Sequence, residues 1–133
     1  MLFVDTSVWS LAFRRDHPPD APPVTHLREE LVTGEAITTT GIVLQELLQG
    51  VRGPKQRTRL LELFGPIAFV DPERRDHIRA AEVRNDCRRR GVQLGTIDAL
   101  LAALCLRHEL TLLTTDADFD HAATIVPLRI WSP

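Results

Sequence analysis

The chain has 133 residues, 44% apolar and 26% charged, and its 16 basic and 18 acidic side chains leave a net charge of −2. These proportions exclude a disordered or fibrous chain and a nonspecific nucleic-acid coat protein, and they suit one globular domain over residues 1–133. No apolar run reaches the roughly 18 residues of a membrane span, and MLFVDTSVW brings in an acid at position 5, unlike a secretion signal.

Leu2-Phe3-Val4 is a short apolar run that suits a buried parallel strand. Arg14 to Pro23 (RRDHPPDAPP) reads as an exposed loop. Val24, Leu27 and Leu31 keep helical spacing, and Gly34 ends that helix. Ala36 to Thr39 reads as a second strand, with Thr40 capping a helix from Gly41 to Gly50. Pro54 opens the next helix, with Leu60, Leu61 and Phe64 inward and Gly65 at its end. Ile67 to Val70 forms a third strand. Asp71-Pro72 then starts a long helix that turns Ala80, Val83 and Cys87 to the core and ends at Gly91. Thr96 caps a helix whose apolar stripe is Ile97, Leu100, Leu101 and Leu104. Thr111 to Thr115 and Leu128 to Ile130 supply the last two strands.

Strands alternating with helices predict an α/β fold with a parallel sheet covered on both faces. Ligands of such sheets gather beyond the carboxyl ends of the strands, near a switch in strand order. Cys87 and Cys105 form no CxxC pair and are expected as buried apolar groups in a reducing cytosol.

Four acids punctuate the elements at that edge. Asp5 follows the first strand and Asp116 the fourth; each reads either as a helix cap or as a site residue. Glu46 stands in the apolar helix IVLQELL, either solvated beside Gln49 or turned inward to bind. Asp98 lies in the first turn of TIDALLAAL, where a charge is favourable in its own right. DADFD resembles a calcium loop in spacing only, because His121 and Pro127 stand where Gly and Glu are needed.

Carboxylates meeting within about 4 Å repel by about 4 kcal/mol per pair at an effective dielectric of 20. Protons or cations must then neutralise them. Oxygen-only ligands suit Mg²⁺ or Mn²⁺, and no histidine or cysteine spacing points to zinc. Such a site suits phosphodiester hydrolysis by metal-activated water.

LFVDTSVW, the lone Glu in TGIVLQELLQG, TIDALLAALC and LLTTDADFD, in that order, resemble a PIN domain over essentially the whole chain. The length and the start at residue 1 resemble the VapC-type toxins of bacterial toxin–antitoxin pairs. The resemblance implies a three-layer αβα fold with a five-stranded parallel sheet. It also implies Mg²⁺- or Mn²⁺-dependent endoribonuclease activity on RNA, a VapB-type antitoxin partner and a homodimer. Carried over by motif, Asp5, Glu46, Asp98 and Asp116 are the catalytic, metal-holding acids. Ser7 and Thr115 match supporting hydroxyl positions, and Asp118 or Asp120 adds a ligand through water or does not. Trp9, Leu11 and Phe13 on the first helix are either core or a groove for the antitoxin.

Arg84, Arg88, Arg89 and Arg90 read either as a solvated last turn or as phosphate contacts for RNA. Two rivals remain. A haloacid-dehalogenase-like phosphatase shares the strand–Asp start but needs a second acid where Ser7 stands, and a lysine near the phosphate, for which Lys55 is the lone candidate. A silent PIN-like binding module is marked by loss of an acid, and all four are present.

Overall fold

A computed structural model describes residues 1–13, 20–33 and 36–133. In chain order the elements are β1 (Leu2–Val4), α1 (Thr6–Ala12), α2 (Pro22–Thr33), β2 (Ile37–Thr39), α3 (Gly41–Gln49) and α4 (Pro54–Phe64). There follow β3 (Ala68–Phe69), α5 (Arg74–Arg89), α6 (Thr96–His108), β4 (Thr111–Leu113), α7 (Ala117–Ala122) and β5 (Arg129–Ile130). The five strands form one sheet in the order β3-β2-β1-β4-β5, parallel at every pairing. Phe3 lies beside Thr38 on one side and Leu112 on the other.

β1 and β2 are buried at every position. Successive residues of a strand face opposite ways, so helices must cover both faces, as the uninterrupted apolar run implied. The order reverses direction between β1 and β4, which places the switch point there and puts Asp5 and Asp116 beside it. Among the described residues no helix is long and apolar enough to cross a membrane. Cys87 and Cys105 are buried and unpaired, as expected, and burial pushes both thiols up.

Several helix starts differ from the sequence reading. Pro22 and Pro23 belong to the first turn of α2 rather than to a loop, because that turn has no N–H to lose. The Arg14–Pro19 part of that loop and Gly34 lie outside the described residues. Thr40 does precede α3, but its hydroxyl donates to the Val70 carbonyl at 2.7 Å, bracing β2 against the end of β3. α6 takes Gly95 as its cap, with Thr96 already helical. Ile97 is exposed and Leu100 half-buried, whereas Leu101 and Leu104 are buried as expected, together with Ala99, Ala102, Ala103 and Cys105.

α5 begins at Arg74 rather than after Asp71-Pro72, because Glu73 and Asp76 form a capping box. The buried Asp76 carboxylate is also gripped by Arg107 of α6, Nε to Oδ1 at 2.7 Å and a terminal nitrogen to Oδ2 at 2.8 Å. Arg107 holds the Asp76 carboxyl below the usual carboxylate range. The fork ties the start of α5 to the end of α6. The two helices therefore run antiparallel, and the end of α5 lies beside the start of α6.

Candidate active site

Asp5 leaves β1 in extended conformation and caps α1. Its Oδ1 accepts from the backbone N–H of Ser7 at 3.0 Å and of Val8 at 3.3 Å, and from the Ser7 hydroxyl at 2.5 Å. Its Oδ2 accepts from the Thr114 hydroxyl at 2.6 Å. These donors fix the carboxylate and leave Oδ2 with lone-pair capacity toward the pocket. Burial raises the pKa of Asp5, against the pull of the Ser7 and Thr114 hydroxyls and the Val8 and Ser7 amides.

Thr114 serves two acids, since the Asp116 N–H donates to its Oγ1 at 3.0 Å. Asp116 caps α7, with Oδ1 accepting from Asp118 N–H at 2.9 Å. The buried Thr114 side chain thus fills the role the sequence reading gave to its neighbour. Thr115 is exposed and contributes its backbone N–H, which donates to Ser7 Oγ at 3.2 Å. Ser7 supports Asp5 as expected.

Glu46 is half-buried on α3. Its Oε1 accepts from the Thr6 hydroxyl at 2.9 Å, so the first turn of α1 aims it inward rather than toward Gln49. Gln45 and Gln49 bond to one another on the solvent side. Thr6 and Thr114 were not singled out by sequence; their only signal was a hydroxyl next to, or two before, a candidate acid.

Asp98 projects from the first turn of α6 and is half-buried. Burial, then Asp116, Asp5, Glu46 and Asp118 in that order, push its pKa up to about 6. Asp5, Glu46, Asp116 and Asp118 thus stand near enough to Asp98, at the carboxyl edge of the sheet, to act on it through space. Of the two acids left open on α7, Asp118 contributes to this upward push. Among the described residues, no hydrogen bond reaches the Asp98 carboxylate, and no cation pairs with Asp5, Glu46, Asp98 or Asp116. Nor is any group of three His, Cys, Asp or Glu side chains already set to hold a metal ion. The acids are thus neighbours that do not close on a point, as expected of like charges without a counterion.

Lys55 lies exposed in the first turn of α4 and bonds to none of the acids, so the lysine of a phosphatase site is missing from this edge. Trp9 is fully buried, between Phe13 at 6.2 Å and Phe64 at 4.7 Å between ring centroids. Of the two readings left open for Trp9, core and antitoxin groove, its burial fits the core: apolar packing against α4 claims the ring. Leu11 and Phe13 are half-buried against the same core. Arg84, Arg88, Arg89 and Arg90 are all exposed at the end of α5, beside the start of α6 that carries Asp98.

The sequence pattern of the PIN domain matches residues 2–125. The ribonuclease VapC11 of Mycobacterium tuberculosis (strain ATCC 25618 / H37Rv) is 30% identical over 131 residues, covering 97% of this chain and 96% of its own. The fold is similar to FitAB bound to a DNA fragment, with a TM-score of 0.78, 22% identity and coverage of 98% and 94%. It is also similar to VapBC2 from Rickettsia felis bound to a promoter DNA fragment, with a TM-score of 0.74, 22% identity and coverage of 99% and 100%.

Proposed function

The chain belongs to the PIN-domain family, and from that premise we propose that it is the endoribonuclease toxin of a VapBC-type toxin–antitoxin pair. It hydrolyses RNA phosphodiester bonds with a divalent ion, Mg²⁺ or Mn²⁺, held by Asp5, Asp98, Glu46 and Asp116. The observation that carries this reading is Asp98, a half-buried carboxylate with no donor among the described residues and with four other acids near enough to act on it through space.

The donor set fits a hard divalent ion. It offers carboxylate oxygen alone, and the acids are oriented by hydroxyls and amides that cannot neutralise them. A bound divalent ion supplies a lowered pKa for attacking water and offsets charge building on the phosphate. The chain's own residues do the positioning. Ser7 and Thr114 lock Asp5, and Thr6 locks Glu46. Asp116, capping α7, and Asp118, in its first turn, add the carboxylates of that helix. Burial and the neighbouring acids let Asp98 hold its proton up to about pH 6, so it must be ionised before it can serve as a ligand.

A VapB-type antitoxin restrains the activity, in the cytoplasm where both are made, and the folded unit is one PIN domain that pairs as a homodimer. The test is cleavage of RNA by the purified protein with Mg²⁺, beside Asp98→Asn. Cleavage confined to wild type supports the assignment. Equal cleavage by both removes Asp98 from the reaction, and no cleavage by either with Mg²⁺ or Mn²⁺ defeats the reading.

A further inference from the structure

The four arginines at the end of α5 are not equivalent. Arg89 is neutralised by an ion pair with Asp86. Arg88 instead donates to the neutral Asn85 Oδ1 at 2.8 Å. Arg84 donates through Nε to the Leu94 carbonyl at 3.1 Å, which holds the side chain across the α5–α6 turn while its terminal nitrogens stay available. The Arg90 side chain has no acidic partner among the described residues. Further up the helix, Arg75 and Arg79 are paired with Glu73 and Glu82. Arg74, at the first position of α5, also has no acidic partner among the described residues, so the unpaired arginines stand at the start of the helix (Arg74) and over its C-terminal part (Arg84, Arg88 and the capping Arg90).

Arg84 links the C-terminal end of α5 to the segment that leads into Asp98. Leu94, which holds Arg84, precedes Gly95, and a Cβ on Gly95 would stand 3.9 Å from Asp98 Oδ2. A protein of net charge −2 that gathers four acids near Asp98 repels a polyanion on approach. We infer that Arg84, Arg88 and Arg90 form a phosphate-gripping ledge that seats single-stranded RNA next to the pocket, with Arg89 taking no part. Guanidinium groups suit this because they bind phosphate oxygens in pairs and stay charged at every working pH. The inference rests on the ribonuclease reading and specifies how that site meets its substrate.

The experiment measures binding of a fluorescein-labelled oligouridylate of about 20 nucleotides by anisotropy. EDTA prevents cleavage, and KCl runs from about 50 to about 200 mM. Each phosphate contact to a single strand adds about 0.7 to the slope of log affinity against log salt. The Arg84→Gln/Arg88→Gln/Arg90→Gln variant should bind about tenfold more weakly at low salt, with a slope shallower by about 2. Arg89→Gln should leave the slope unchanged. Because Arg84 also braces the turn, Arg88→Gln/Arg90→Gln is measured beside it, with an expected change of about 1.4 and an unaltered melting temperature. An unchanged slope in both multiple variants overturns the ledge, as does an equal effect from Arg89→Gln. Normal RNA binding with loss of inhibition by the antitoxin would assign the surface to a protein partner instead. Cleavage is scored separately: a wild type that cleaves with no change in slope defeats the ledge alone, and a change in slope without cleavage defeats the ribonuclease reading alone.

Discussion

Thr114 Oγ1 donates to Asp5 Oδ2 at 2.6 Å, across a sequence separation of 109 residues. The same oxygen accepts from the Asp116 backbone, so one hydroxyl joins the ends of β1 and β4 on the two sides of the switch point. Its orientation is forced, since the proton goes to the carboxylate and a lone pair to the amide.

Thr114→Val keeps the shape and removes that hydroxyl. Cleavage should fall by about 10- to 100-fold through misplacement of Asp5, the scale seen when a partner of a metal ligand is lost. Stability should fall by about 1–3 kcal/mol, because a buried acceptor and donor are left unmet. Thr114→Ser should restore most of both. A positioning role requires the apparent metal affinity to weaken with the rate; a stability loss without that change would reduce Thr114 to a structural brace.

Asp98→Asn should abolish cleavage and raise stability in EDTA. The folded pKa of about 6 lies above the ordinary value of 3.8, so folding favours the protonated acid. Its stability contribution is fully present below pH ~3.8 and is lost as pH rises through ~6. At pH 7–8 the variant escapes that loss and should gain about 1–2 kcal/mol, after allowance for solvent screening of a half-exposed group. Denaturant melts at pH ~7.5 and ~4 check this: the gain should shrink at the lower pH, and a constant gain would not come from titration.

Cleavage should stop in EDTA and return with Mn²⁺ or Mg²⁺. Ion and proton compete for Asp98, so calorimetric metal affinity should fall as pH drops below about 6. Asp98→Asn should blunt that pH dependence. Full activity in EDTA would point to metal-free chemistry.

Arg107→Gln should lower the melting temperature by about 5–10 °C at pH 7 while leaving the kcat of any properly folded fraction intact. The pKa of Asp76 is depressed, so its contribution is present above the unfolded value of 3.8 and is lost as pH falls through the lower folded value. The difference between variant and wild type should therefore shrink in acid. A matched fall in kcat and stability would show that the clasp reaches the pocket.

The acids were legible because chain position alone puts the residue after a parallel strand at the ligand edge, and Asp5 and Asp116 both follow strands. Capping and site readings, opposed for Asp5 and Asp116, do not exclude one another: each acid caps its helix through Oδ1 and leaves Oδ2 outside the cap. Helix starts were less legible. Asp71-Pro72 is a sound local signal, but the Arg107 fork engages Asp76 and makes Glu73 the cap. The choice between Thr114 and Thr115 depended on which way β4 turns each side chain, information that adjacent identical residues do not carry. Trp9 was ambiguous because an apolar residue on a short helix suits core and partner surface equally; its full burial and its tilted contact with Phe64 place it in the core.

The pocket walls come from residues 5, 46, 98 and 116 of 133, and the brace on the first of them arrives with Thr114. No portion of the polypeptide ending before that point can assemble the machinery. The four acids are thus brought together by the chain as a whole and by no contiguous segment of it.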